Sequence, residues 1–210
     1  MSLGEVAARV FSASCRHRFA KPVVFVMALL PFAYLLWAAQ ADQLGANPAE
    51  ALVRATGDWT LRLLCVVLAV TPLRVLTGNA ALARFRRMLG LFVYFYALLH
   101  LLSYSGFDMA FDLTDIARDI VKRPFILVGF VAFVVLTSLA FTSFNRAIKV
   151  LGGRNWQRLH RAVYGVAGLA ILHFFWMRAG KNDFAEVFVY AGVLTALLGW
   201  RLLRFLNQKS

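Results

Sequence analysis

Six stretches of this chain are each apolar and long enough to approach the ~20 residues that a helix needs to cross the ~30 Å hydrocarbon core of a membrane. They run over 22–40, 59–77, 88–106, 124–143, 158–177 and 185–204, with short connections between them. Inside a bilayer every backbone amide must find its partner within the protein, so apolar runs of this length become helices. The composition agrees: 61% of the 210 residues are hydrophobic and 16% are charged, too few polar groups to coat a soluble domain. The expected fold is all-α, an integral membrane six-helix bundle with both termini cytoplasmic. It divides into an N-terminal cytoplasmic segment 1–21, a six-span domain 22–204 and a cytoplasmic tail 205–210. Arg16, Arg18 and Lys21 before the apolar run, and the small residues AAQA at 38–41, resemble a secretory signal. The run from Pro22 to Ala39 exceeds the ~7–15 apolar residues of such signals, so it reads as a retained first span.

Charge sets the orientation. Segments 1–21, 74–87, 146–161 and 201–210 hold 16 of the 23 Lys and Arg residues. Nine of the ten acids fall on the other side: Asp42, Glu50, Asp58, Asp108, Asp112, Asp115, Asp119, Asp183 and Glu186. The positive-inside rule then places the basic side and both termini in the cytoplasm. The net charge of +13 is thus a topology signal facing anionic membrane lipid, and nucleic acid is not an expected partner. Cys15 and Cys65 are unsuited to pairing, because one precedes the first span and the other lies inside the second. CxxCH, CxxC, a phosphate-binding GxxxxGK[ST] and internal repeats are all absent from the sequence, which excludes covalent c-type haem attachment.

Four histidines are available for chemistry. His17, between Arg16 and Arg18, reads as a solvated interfacial residue. His100 lies on the third span, and His160 and His173 on the fifth. Ionisable groups at membrane depth are costly and face the bundle interior, which makes them functional candidates. The third and fifth spans run in the same direction, with His100 thirteen residues past Arg87 and His173 twelve past Arg161. At ~1.5 Å per residue both histidines sit roughly 18–20 Å from the cytoplasmic edge. Two neutral imidazoles at one level can clasp a haem iron from both faces, a b-type site with His100 and His173 as axial ligands. The simpler alternative is two core histidines, each bonded to a backbone carbonyl. Zinc is disfavoured, since only two ligands converge.

His160 is flanked by Arg158 and Arg161 at the cytoplasmic interface. Its level on the third span offers Arg86 and Arg87, neither of which is an axial ligand. Thirteen residues also turn His160 roughly 140° away from His173 on an ideal helix, so an inner haem would need distortion near Gly165 or Gly168. A second metal-ligating, cofactor or quinone role and a plain interfacial role both remain open for it. Arg178 is a candidate cofactor-binding residue, as partner to a haem propionate, with a snorkelling anchor as the alternative. Lys181 is a weaker form of the same case. In NPAEALVRATGDW (47–59), Asn47-Pro48 and Gly57 read as turn chemistry in an outer loop, either a cover over the outer haem edge or a plain re-entry turn. The loop 107–123, with four aspartates, reads as a docking surface or as a merely solvated loop.

Four motifs in combination carry a family resemblance: LGANPAEALVRATGDWTLRLL at 44–64, TPLRVLTG at 71–78, RRMLGLFVYFYALLH at 86–100 and NWQRLHRAVYGVAGLAILHFFW at 155–176. Over about residues 20–205 the chain resembles the ferric-reductase-like transmembrane superfamily, which includes NADPH oxidases. More closely, it resembles the MsrQ (YedZ) family of haem-binding membrane subunits in bacterial periplasmic protein-methionine-sulfoxide reductase systems. The larger ferric reductases carry four haem histidines and FAD- and NADPH-binding domains, none of which this chain matches in full. The resemblance implies haem b, FMN and a quinone electron donor. It also implies a periplasmic molybdopterin-containing catalytic subunit, which reduces methionine sulfoxide in oxidised envelope proteins. On this reading the chain is an electron-transfer subunit with no catalytic residue of its own. A self-contained quinol- or flavin-driven ferric reductase and a haem-free membrane scaffold are the alternatives.

Overall fold

A computed structural model describes residues 12–180 and 182–208. The described residues contain no strand, and six helical stretches among them are long and apolar enough to cross a membrane. In chain order they form α1 (Ala20–Gln40), α2 (Pro48–Leu76), a 3-10 segment (Ala80–Phe85) and α3 (Arg86–Ser103), which a π turn (Tyr104–Asp108) extends. Then come α4 (Leu113–Lys122), α5 (Pro124–Phe141), α6 (Asn145–Leu151), α7 (Gly153–His160), α8 (Val163–Ala179) and α9 (Ala185–Asn207). Lys181 lies outside the described residues.

Three local readings of the sequence are corrected. The stretch from Asn47 to Trp59 is not an outer turn, because α2 starts at Pro48 and runs without a break through Gly57. Its start has a clear local cause. The Asn47 side chain accepts a hydrogen bond from the Glu50 amide at 3.1 Å, and Pro48 takes the first helical position, where a missing N–H costs nothing. Glu50, Arg54 and Asp58 interrupt the apolar pattern, but their spacing of four keeps them on one helical face. Glu50 and Arg54 are ion-paired there. The second correction falls in 107–123, which contains α4 rather than an open loop. Asp112 caps that helix by accepting from the amides of Thr114 and Asp115, and Asp119 holds Arg123 at 2.9 Å and accepts from the Tyr104 hydroxyl at 2.7 Å. The third concerns the fifth span, which breaks at Arg161–Ala162, between α7 and α8, and not at Gly165 or Gly168.

The bundle is built on two close helix pairs, α2 with α3 and α5 with α8, and α9 packs against α2 and α8. The core they share is apolar and includes the fully buried Leu64, Leu68, Val93, Val166 and Val187. Apolar side chains also cover the outside: Val23, Val26, Met27 and Leu30 on α1 and Phe188, Val189, Leu202 and Leu203 on α9 are exposed. A soluble protein would pay heavily for that surface, whereas lipid tails accept it.

Tyr96 joins α1 to this core. Its ring is fully buried, and its hydroxyl donates to the Ala28 carbonyl at 2.8 Å while accepting from the Phe32 amide at 3.0 Å. Those two backbone groups are four residues apart, next to Pro31, so the phenol enters the helical ladder where proline disturbs it. Tyr96→Phe strands a buried donor and a buried acceptor, and should lower stability by about 1–3 kcal/mol. Thermal unfolding of the purified protein in detergent checks this. An unchanged midpoint would mean that the helix re-forms its own bond.

Candidate functional site

His100 and His173 come together. Their ring centroids lie 6.1 Å apart with an interplanar angle of 78°, although 73 residues separate them in sequence. Two imidazoles ligating one metal ion from opposite sides, each at about 2 Å, would have centroids roughly 6 Å apart. Both rings are only partly buried, because each lines a cavity between the two helix pairs.

The two histidines are held in the same way. His100, on α3, donates from Nδ1–H to the Val53 carbonyl on α2 at 2.8 Å. His173, on α8, donates from Nδ1–H to the Phe125 carbonyl on α5 at 2.6 Å. A carbonyl can only accept, so each bond places the proton on Nδ1 and leaves Nε2 as a lone-pair donor. The acceptors lie 47 and 48 residues before their histidines.

Each acceptor is followed four residues later by a glycine, Gly57 after Val53 and Gly129 after Phe125. In a helix that residue lies directly over the carbonyl, so a side chain there would meet the imidazole. A Cβ at Gly57 would come within 3.1 Å of His100 Cε1, and one at Gly129 within 2.8 Å of His173 Nδ1. The glycines are therefore required by close approach. Sequence inspection missed both of them as site residues. A residue and a glycine four apart in the first three turns of each helix that pairs with a histidine helix was the available signal.

The cavity has a volume of about 320 Å³, within the ~300–1,000 Å³ range of ligand sites. Leu64, Phe133, Leu136 and Val166 form its apolar interior, and Arg54, Asp58, Tyr104, Asp108 and Arg123 supply its polar lining near the histidine end of the bundle. Among the described residues no cluster of three or more His, Cys, Asp or Glu forms a metal site, which argues against zinc at this pair. Two neutral imidazoles, free at Nε2 on a largely apolar cavity with arginines on one side, fit a haem held by two axial ligands.

The other candidates lie apart. Arg178 is buried, and its two terminal nitrogens bond Asp183 and Glu186 at 2.8 Å each, while its guanidinium rests on the Phe174 ring. It does not line the cavity; Arg54 and Arg123 do. His160 ends α7 at the opposite end of the bundle, stacked on Trp156 with centroids 4.0 Å apart and 3.2 Å from the Thr142 hydroxyl. His17 is exposed and accepts from the Phe19 amide.

Comparison with known proteins points the same way. Residues 56–171 match the family model described as a ferric reductase like transmembrane component. That range takes in His100 and ends two residues before His173. The chain is 72% identical to the protein-methionine-sulfoxide reductase heme-binding subunit MsrQ of Polaromonas naphthalenivorans, over 89% of this chain and 85% of that protein. It is 53% identical to the MsrQ subunits of Herminiimonas arsenicoxydans, over 85% and 82% of the two chains, and of Bordetella pertussis, over 90% and 92%. No solved structure matches.

Proposed function

This chain belongs to the ferric-reductase-like transmembrane family and, within it, to the MsrQ heme-binding subunits, and on that premise we propose that it carries electrons from the quinone pool to a periplasmic methionine sulfoxide reductase. Haem b lies between His100 and His173 in this reading, and the partner, a molybdopterin enzyme, performs the sulfoxide chemistry on oxidised envelope proteins. The single observation that carries it is the pair of imidazoles 6.1 Å apart, each with Nδ1 spent on a carbonyl and Nε2 free. The haem, when bound, supplies a one-electron redox couple inside the membrane.

The protein's own groups hold and tune that couple. The Val53 and Phe125 carbonyls fix the tautomer of the two histidines and raise their basicity as ligands. Leu64, Phe133, Leu136 and Val166 keep water from the cavity interior, and low polarity there shifts the potential. Arg54 and Arg123 are the cations on the cavity wall, ion-paired to Glu50 and Asp119, and they would hold the haem propionates, the role the sequence offered to Arg178. The same wall is the exit for electrons: α4, which contributes Ile120 to the cavity, and its flanking aspartates form the docking face.

Most of the acids lie toward the histidine end of the bundle, and 16 of the 23 Lys and Arg residues fall in the segments at the other end, which supports cytoplasmic termini in the inner membrane. The domain limits follow from that orientation, with 1–21 and 205–210 on the cytoplasmic side of the six-span unit 22–204. FMN enters this reading through the family resemblance.

The test is a pyridine-haemochrome spectrum and haem stoichiometry on the purified protein, followed by reduction with a quinol. One b haem per chain, low-spin and quinol-reducible, is the expected result; a protein without a Soret band refutes the reading. His160→Ala should keep the main low-spin band, because its ring is stacked on Trp156 at the far end of the bundle. Loss of that band in His160→Ala alone would reassign the axial pair.

A further inference from the structure

At the end of the bundle remote from the histidine pair, α2, α8 and α9 border an open cleft of about 260 Å³, lined by Thr71, Arg74, Tyr164, Trp200, Arg201 and Arg204. Three guanidiniums meet there, and among the described residues no carboxylate lines it. None of the three makes an ion pair among the described residues. Arg86 lies within electrostatic reach of both Arg74 and Arg201 and adds a further positive charge.

Arg201 does not snorkel freely to the surface. One terminal nitrogen donates to the Tyr164 hydroxyl at 2.6 Å and the other to the Leu68 carbonyl at 2.6 Å, and its guanidinium lies 5.1 Å from the Tyr164 ring centre. Arg204 is held over Trp200 at 5.5 Å. Arg201 Nε and Thr71 Oγ1, both on residues lining this cleft, are buried without a hydrogen-bond partner among the described residues. Cations held at fixed positions with no counter-charge repel one another, and an anion between them removes that repulsion.

We propose that this cleft binds a phosphate group, held by Arg74, Arg201 and Arg204. Guanidinium forks match phosphate oxygens better than a point charge does. Trp200, Val75 and Phe205 supply an apolar wall beside the arginines, so the phosphate sits on a larger apolar or aromatic body. An anionic phospholipid headgroup and a soluble phosphate are the two sources of that chemistry. The inference is independent of the haem reading, since none of these residues touches the histidine cavity.

The experiment uses the full-length haem-loaded protein in detergent, with Trp fluorescence and native mass spectrometry as readouts. It is titrated with short-chain phosphatidylglycerol, with short-chain phosphatidylcholine as the zwitterionic control, and with inorganic phosphate. The expected result is saturable binding of phosphatidylglycerol or phosphate at least tenfold tighter than of phosphatidylcholine. Arg201→Gln should weaken it at least tenfold, with the haem spectrum unchanged. Competition by inorganic phosphate assigns the site to a free phosphate; phosphatidylglycerol binding that phosphate does not displace assigns it to lipid. Arg201 also ties α9 to α2 and α8, so the exposed pair Arg74→Gln/Arg204→Gln provides a second variant that leaves those bonds intact. Equal binding of the zwitterionic lipid, no binding of either anion, or unchanged affinity in both variants overturns the proposal.

Discussion

His100→Ala and His173→Ala are each expected to abolish the low-spin haem spectrum of the purified protein and to lower haem content below one per chain. The two rings stand 6.1 Å apart, and no third His, Cys, Asp or Glu joins them in a metal-ligating group among the described residues. A lost imidazole therefore has no neighbour to replace it. A low-spin spectrum needs two strong axial ligands, so one substitution suffices. Each ring also ends a hydrogen bond to a carbonyl on the paired helix, worth about 0.5–1.5 kcal/mol net, so the bundle should still fold. Far-UV circular dichroism and thermal unfolding in detergent separate lost ligation from lost structure. A folded His173→Ala protein with an intact low-spin spectrum would show that the pair is structural.

Gly129→Ala should damage haem binding more than Gly57→Ala, although neither residue is a ligand. The added Cβ meets His173 Nδ1 at 2.8 Å and Cε1 at 2.9 Å in the first case, and His100 Cε1 at 3.1 Å and Nδ1 at 3.2 Å in the second. Comfortable carbon contacts lie near 3.5–4.0 Å, so the His173 ring must shift against its carbonyl in Gly129→Ala, while the His100 ring must give by only a few tenths of an ångström in Gly57→Ala. Overpacking of this kind costs about 1–3 kcal/mol, which corresponds to roughly 5- to 150-fold weaker haem retention. The electron paramagnetic resonance signal of the ferric protein should shift as well, since the imidazole planes turn. Gly168→Ala is the control, because a Cβ there meets nothing within 4 Å. Unchanged haem affinity and signal in Gly129→Ala, or a larger loss in Gly57→Ala, would contradict the role given to these glycines.

Much of this was legible in the sequence, for identifiable reasons. Apolar runs near 20 residues mark spans because the hydrocarbon core has a fixed thickness. A helix rises by a constant amount per residue, so counting from Arg87 and Arg161 put His100 and His173 at one level, and their rings do meet. What was not legible came from local rules that hydropathy does not see. Asn47-Pro48 and Gly57 read as turn signals, and Glu50, Arg54 and Asp58 interrupt the apolar pattern, so the first turns of α2 looked like a loop. The regular 100° step failed for His160 because the helix breaks at Arg161–Ala162. Arg178 was read by its distance from His173, whereas its charge is met by Asp183 and Glu186 on the other side.

The sequence by itself determined the class of fold, the number of spans and the shared depth of the two histidines. Each depends only on segment length, composition and helix rise, properties that one segment carries alone. The tertiary structure decided which backbone carbonyls orient His100 and His173, why Gly57 and Gly129 must lack side chains, and which arginines line each cavity. Those features depend on how helices are rotated against one another, through contacts between residues more than forty positions apart, and no single segment contains that rotation.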